Sequence, residues 1–367
     1  MVLLICFIKA FNQAFFYFRV FFVPNWFQPG ELFSNDGRLQ CPPTKNTGQG
    51  INTMKYLGKL ILSGLVCSVL TLAVQAEECK TSKWGADDEV GSANLITAAS
   101  VLKASSLIKQ GKTQHLGIII DKNTPAFGPR SLNLQIVQPG QEYGRSPFSN
   151  GFIYNDEVVQ MWFGIGSQLD GLGHPGQHGV FYNCNKGIDF VRTEGVTKMG
   201  IEKVPPMVAR GVVLDMAAQA GVEYLKGGEY FSVADVEAAQ KAQGTEIREG
   251  DVVLFHTGWT EAMLDKDPEK WGSMEPGMSE EVAQYLVDKN VVAVGADTWG
   301  VDVVPPQNKD NIFGGHIILM VNNGIYMLET MQTGPLVRDK AFEFFFVLGP
   351  TRIRGTVQAI IDPIAIY

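Results

Sequence analysis

The stretch Glu157-Val-Val-Gln-Met-Trp-Phe-Gly-Ile-Gly-Ser-Gln-Leu-Asp-Gly-Leu-Gly-His174 sets the reading of the whole chain. Glycines 164, 166, 171 and 173 make its second half unsuited to a long helix, and such segments let backbone and short side chains approach a small ligand closely. Asp170 and His174 stand in it. A second glycine-rich setting holds His316, in Gly314-Gly-His316, and Glu329, at the end of Asn323-Gly-Ile-Tyr-Met-Leu-Glu329. Asp, His and Glu drawn from distant parts of a chain are the ligand types that hold a divalent cation. The chain has five histidines, so two of them in such settings carry weight. Residue type alone also admits a blander reading, two satisfied loop histidines and two solvated acids.

Outward from these clusters, helical and strand patterns alternate without a regular repeat. Ala98 to Gln110 reads as an amphipathic helix closed by Gly111. Ser232-Val-Ala-Asp235 opens another with a capping-box pattern, and Gly244 stops it. Ser279 to Lys289 is a third, with acids in its first turn. Strands are predicted at Gly211–Asp215, Val252–Phe255, Val291–Val294, Ile325–Leu328 and Phe344–Leu348. Several are short continuous apolar runs, which suit strands buried on both faces. No Pro/Ser linker divides Trp84 from Tyr367, so one α/β domain is expected.

The clusters, in their order and spacing, resemble the metal-dependent cyclase family that includes kynurenine formamidases and isatin hydrolases. The family carries a His-x-Gly-Thr-His-x-Asp-x-Pro-x-His loop, then a distant His and Glu near a Gly-Ile turn. The resemblance runs from Trp84-Gly-Ala-Asp-Asp-Glu-Val-Gly-Ser-Ala-Asn94 through Phe255-His-Thr-Gly-Trp259 and Gly295-Ala-Asp-Thr-Trp-Gly-Val-Asp302. It ends in Leu348-Gly-Pro-Thr-Arg-Ile-Arg-Gly355 and Pro363-Ile-Ala365. It implies a swivelling β/β/α fold, assembly as homodimers or larger homo-oligomers, and amide hydrolysis of the arylformamidase kind, as in tryptophan catabolism.

The departures from that loop are as informative. The family's first histidine falls on Gly164 and its second on Gln168, while Leu172 replaces the proline. Family members with two metals use both of those histidines and the aspartate for the first. The second takes the aspartate with the distant His and Glu, a set that survives here as Asp170, His316 and Glu329. Glycine offers no side-chain ligand and the amide oxygen of Gln168 is a weak one. One divalent ion, Zn or Mn, is therefore expected. His174 matches the family's proton-transfer histidine, and an imidazole suits that task near neutral pH. Phe127, Trp162 and Trp299 are candidate walls for a planar substrate, although core packing is the commoner fate of aromatics. His178 and His256 have weaker claims, and His256 equally suits a packed strand end.

Two alternatives stand beside a small-amide hydrolase: a lactone or cyclic-amide hydrolase, and a non-catalytic binding protein on the same fold. Gly171-Leu-Gly-His-Pro-Gly176 matches a dinucleotide-binding glycine pattern, but Pro175 and the turn-rich residues after it oppose the helix that pattern needs. Ser167 lies in no nucleophile elbow. A net charge of −8, with no basic stretch interleaved with aromatics, argues against nucleic acid as a partner.

Met54 to Ala76 has a lysine-bearing start, an apolar run and the small-residue ending Val74-Gln-Ala76, the anatomy of a secretory signal peptide. The run is too short for a membrane span. This predicts a secreted or periplasmic protein with no stable membrane insertion after processing, and a mature domain of residues 77–367. Translation would then begin at Met54, leaving residues 1–53 as an artefactual or disordered extension; an N-terminal membrane segment is the alternative. A kynurenine pathway normally works in the cytoplasm, so the signal peptide counts against a narrow formamidase assignment. Of the five cysteines only Cys79 and Cys184 would remain, able to close one disulfide in an oxidising compartment or to stay separate thiols.

Overall fold

A computed structural model describes residues 79–140 and 144–367, together with the backbone of two short strands, Leu3–Ile5 and Val20–Phe22. The chain divides into two units, Met1–Ala73 and Val74–Tyr367. In the first, the two strands pair antiparallel, with Leu3 opposite Phe22. The signal segment at 54–76 and the rest of the N-terminal extension lie outside the described residues. Among the described residues no helix is long and apolar enough to cross a membrane.

The second unit is built on one nine-stranded sheet. Its strands are β1 (Thr113–His115), β2 (Gln168–Asp170), β3 (Met207–Asp215), β4 (Val252–His256), β5 (Ala293–Ala296), β6 (Tyr326–Glu329), β7 (Glu343–Leu348), β8 (Gln358–Ile360) and β9 (Ile364–Ile366). They run in the order β8-β2-β6-β5-β4-β3-β7-β9-β1. The middle four, β6-β5-β4-β3, are mutually parallel, and the flanking strands join antiparallel. All five predicted apolar runs are strands of this sheet.

Side-chain alternation splits these strands between two cores. Val252 and Leu254 enter one cluster with Val213, Leu328 and Phe344; Val253 and Phe255 enter the other with Val212, Val294 and Met327. The second cluster lies under two helices whose ends the sequence encodes. Val233–Gln243 starts on a Ser232/Asp235 capping box and stops at Gly244 in a left-handed conformation, φ 69°. Glu280–Asp288 starts on Ser279.

Two boundaries differ from expectation. The helix expected over 98–110 ends at Ser105, because the Ser105 and Ser106 hydroxyls bond back to the carbonyls of Leu102 and Lys103 and compete with helical pairing. The strand expected at 291–294 pairs over Ala293–Ala296, with Val291 and Val292 as its buried lead-in. Cys79 and Cys184 form a disulfide with Cα atoms 5.4 Å apart, tying the start of the domain to the loop after His174. Beside it, Asp88 accepts hydrogen bonds from Tyr182 (2.6 Å), Ser82 and Asn94 (each 2.8 Å), so the Trp84–Asn94 motif docks on the same loop.

One antiparallel hairpin, Leu132–Val137 with Asp156–Met161, stands outside both cores. Along it Leu134, Ile136, Val158 and Val159 are exposed.

Candidate metal centre

The register of β2 builds the centre. Glu329 of β6 lies directly opposite Gln168, and Gln358 of β8 directly opposite Asp170. Opposed residues share a face, and so do residues two apart on one strand. Gln168, Asp170, Glu329 and Gln358 therefore all project together, whereas Leu169 between them enters the opposite core. Glu329 ends β6, so the site lies at the carboxyl end of a parallel strand, where open α/β sheets bind ligands.

His316 arrives from elsewhere, on the short helix Gly314–His316 that runs on into a π-helical turn, Ile317–Val321. Asp302 holds it in place. One carboxylate oxygen accepts the Gly315 N–H at 2.7 Å; the other accepts the His316 N–H at 3.2 Å and pairs with Nδ1 at 2.6 Å. With Nδ1 engaged, Nε2 faces the acids, 3.2 Å from Glu329 and 3.9 Å from Asp170. One ligand atom from each of Asp170, His316 and Glu329 lies within 4.8 Å of the others, and all three residues are buried.

Gln168 lies among the same groups, but its Nε2 donates to Asp170 at 3.1 Å and to Glu329, so the amide ties the two carboxylates together through its nitrogen. Gln358 adds a second amide donor to Asp170 at 2.8 Å. His174 follows Asp170 through a turn closed by its N–H on the Gly171 carbonyl, and its Nε2 stands 3.5 Å from Asp170. It is more exposed than the three clustered residues. Burial holds its pKa below the ordinary imidazole value, an effect that Asp170 opposes.

The donor set fits a divalent cation. Burial, reinforced by the neighbouring Asp170, pushes Glu329 up to about 7. Two buried carboxylates this close are costly without a positive partner, and a bound cation removes that cost. Asp170, His316 and Glu329 would hold it.

The aromatic expectations divide. Phe127 stacks on Trp299 with ring centres 4.9 Å apart and planes 11° from parallel, and Phe313 meets both edge-on. Phe313 in turn lies 5.4 Å from the His316 ring, so this trio adjoins the centre. Trp162 does not join it; the residue sits at the base of the exposed hairpin, 54% exposed. His256 is buried at a strand end, with Nδ1 2.8 Å from the Thr333 hydroxyl, and His115 pairs with Asp362 on the sheet edge. His178 is exposed at a tight turn with φ 50°.

Sequence reasoning assigned no role to Asp302, Gln358 or Arg130. Asp302 closes the Gly295–Asp302 motif, and its spacing of fourteen residues from His316 was the available signal. Gln358 is 188 residues from Asp170 and only strand register reveals it. The Arg130 guanidinium donates to the Gly164 carbonyl at 2.8 Å and packs against that glycine, at the position where the resembling loop has its first histidine.

The Cyclase family model matches residues 114–303, more than half of the chain. This chain belongs to that family. A crystal structure of a novel cyclase is similar over 78% of this chain and 96% of its own, at 29% identity and TM-score 0.71. Isatin hydrolase A from Ralstonia solanacearum shares the fold at 18% identity and TM-score 0.53, covering 74% of this chain and 97% of that one. An isatin hydrolase bound to the product analogue thioisatinate gives 19% identity and TM-score 0.50, covering 74% and 98%. No curated protein sequence gives a significant match.

Proposed function

We propose that this cyclase-family chain is a metal-dependent hydrolase acting on the carbon–nitrogen bond of a small amide, with arylformamidase-like chemistry. The observation that carries the reading is the convergence of Asp170, His316 and Glu329 within 4.8 Å at the carboxyl end of a parallel strand. A divalent cation, Zn or Mn, supplies Lewis acidity there and lowers the pKa of water. The chain's own groups do the rest. Asp302 fixes the tautomer and direction of His316, Gln168 and Gln358 hold the carboxylates in register, and His174 is placed to carry a proton between water and the leaving nitrogen. The Phe127–Trp299 stack supports a planar substrate, which also favours a second reading, the opening of a cyclic amide or lactone.

The test is a screen of the purified, processed chain, loaded with Zn or Mn, against N-formylanilides, cyclic imides and lactones. Turnover of formylanilides supports the first reading and turnover of the rings the second. A chain that purifies without stoichiometric metal and turns over none of them overturns both hydrolytic readings and is a binding protein on the same fold instead.

Export to an oxidising compartment, secreted or periplasmic, is part of this proposal. The Cys79–Cys184 disulfide supports it, since such bridges persist outside the reducing cytosol. N-terminal sequencing of exported protein should find Glu77 first. We further propose a homodimer joined through the Leu132–Met161 hairpin. A two-stranded hairpin with apolar residues exposed needs a packing partner to be stable. Sedimentation velocity should give twice the chain mass, and Ile136→Lys with Val158→Lys should return it to a monomer.

A further inference from the structure

We infer that Glu275 is a positioning residue for substrate selectivity: its side chain pins the Trp299–Gly300 backbone, and so sets the Phe127–Trp299 wall against which a planar ring would pack beside the metal centre. The inference deepens the metal-dependent hydrolase reading above and rests on it. Glu275 is wholly buried, and among the described residues its Oε1 has no hydrogen-bond partner. A carboxyl group placed this way costs free energy, and such costs are kept where a geometry depends on them.

The geometry here is a bracket. Oε2 accepts the Gly300 N–H at 3.1 Å, and the Trp299 N–H acts on the same carboxyl. The main chain of Glu275 holds the far end of the same segment: its N–H donates to the Val304 carbonyl at 2.9 Å, and its carbonyl accepts the Val304 N–H at 3.0 Å. One residue therefore fixes Trp299–Val304, with its side chain at the start and its backbone at the end. Between these ends stands Asp302, which aims His316.

The aromatic wall hangs on the start of the bracket. Trp299 is clamped twice, its backbone by Glu275 and its indole N–H by the Trp271 carbonyl at 2.9 Å. A Cβ built on Gly300 would meet Glu275 Oε1 at 2.7 Å and the Phe313 ring at 3.5 Å, so the carboxyl and Phe313 lie against the same glycine. Phe313 is the ring that meets both Trp299 and the His316 imidazole. Losing the carboxyl frees Trp299 but leaves the backbone pairing with Val304, and with it Asp302 and His316, in place. Burial holds the Glu275 carboxyl well above the ordinary carboxylate range, so the uncharged amide of glutamine is its close substitute, with an oxygen that accepts the same N–H groups. Methionine matches its length and is at most a weak acceptor.

The probes are benzoate and acetate, titrated calorimetrically into the manganese-loaded, processed chain; they share a carboxylate and differ in the ring. Wild type should bind benzoate more tightly than acetate. Glu275→Met should lower that preference by about threefold to tenfold, the worth of a well-placed aromatic contact, with manganese uptake unchanged. Glu275→Gln should keep the preference within about twofold of wild type, since the acceptor stays. Glu275→Asp, too short to reach the same N–H groups, should fall with methionine, and it carries the test if Glu275→Met fails to melt cooperatively. A preference unchanged in both Glu275→Met and Glu275→Asp, or lost equally in Glu275→Gln, overturns the assignment and leaves the metal reading intact. So does wild type that binds manganese and shows no preference for benzoate. Manganese lost from folded Glu275→Met overturns it too, since the carboxyl would then support the whole centre and not the wall. Wild type that takes up no manganese overturns the hydrolase reading itself, and the role of Glu275 falls with it.

Discussion

The sheet-borne and loop-borne halves of the centre are built on different principles. Gln168, Asp170, Glu329 and Gln358 sit on three paired strands, where a shift of one residue would send every side chain to the other face. Their positions are as firm as the two hydrophobic cores. His174 and Phe127 lie on connections between elements, with no ladder of backbone pairs around them. What holds the loop after His174 is a set of staples: the Cys79–Cys184 disulfide, the hydrogen bonds on Asp88, and Glu89 accepting the Met199 N–H at 2.6 Å. Two of the three candidate metal ligands sit where register cannot slip, and the residues proposed to handle substrate sit where the chain can vary. The departures from the resembling loop do not follow this division: Gln168 lies on β2 and Gly164 ahead of it, while His316 is kept on a short helix.

The largest effect expected is on the sheet-borne side. Asp170→Ala should abolish metal uptake and reduce turnover to background, because the bound cation depends on that carboxylate's charge as well as its place. Elemental analysis of the purified variant checks it. His174→Ala should behave oppositely, with metal content near wild type and turnover lower by about 10²–10⁴-fold. A metal-free His174→Ala protein would break the comparison, making the loop histidine a ligand and leaving His178 as the first candidate for proton transfer.

Smaller effects should come from the staples. Cys184→Ser opens a disulfide spanning 105 residues and should cost about 2–4 kcal/mol in denaturant unfolding, with metal stoichiometry unchanged. Loss of metal together with stability would show that the strands lean on the loop. The smallest change should be a pH effect at Asp88. Burial raises its pKa, but hydrogen bonds from Tyr182, Ser82 and Asn94 outweigh this and hold it below the ordinary value. A depressed acid stabilises the fold above about pH 4 and loses that contribution as pH falls through its folded value. The melting temperature of Asp88→Asn should therefore fall less steeply than wild type between pH 5 and pH 3. Parallel curves would remove Asp88 from the set of staples.

Fold and candidate ligands were legible for reasons that differ. Val252–Phe255 and Phe344–Leu348 announce themselves because a strand buried on one or both faces must be apolar at those faces, a local requirement. Ser232 and Gly244 mark a helix because capping is satisfied within a few residues. Asp170, His316 and Glu329 stood out because cation chemistry restricts the residue types and the glycines around them are rare settings for charge. The end of the first helix was not legible: Ser105 and Ser106 can face solvent or bond back to the helix, and nothing local chooses between these.

The amino-acid sequence by itself determined which strands are buried, where the helices are capped, and which acids and histidine are available as ligands, since each depends on residue type and short-range geometry. Tertiary structure alone decided that Gln358 meets Asp170 across 188 residues, that Asp302 aims the imidazole of His316, and that Trp299 rather than Trp162 joins the aromatic wall. It also decided that the guanidinium of Arg130 fills the space beside Gly164. Strand register and side-chain packing bring together residues that no local pattern links.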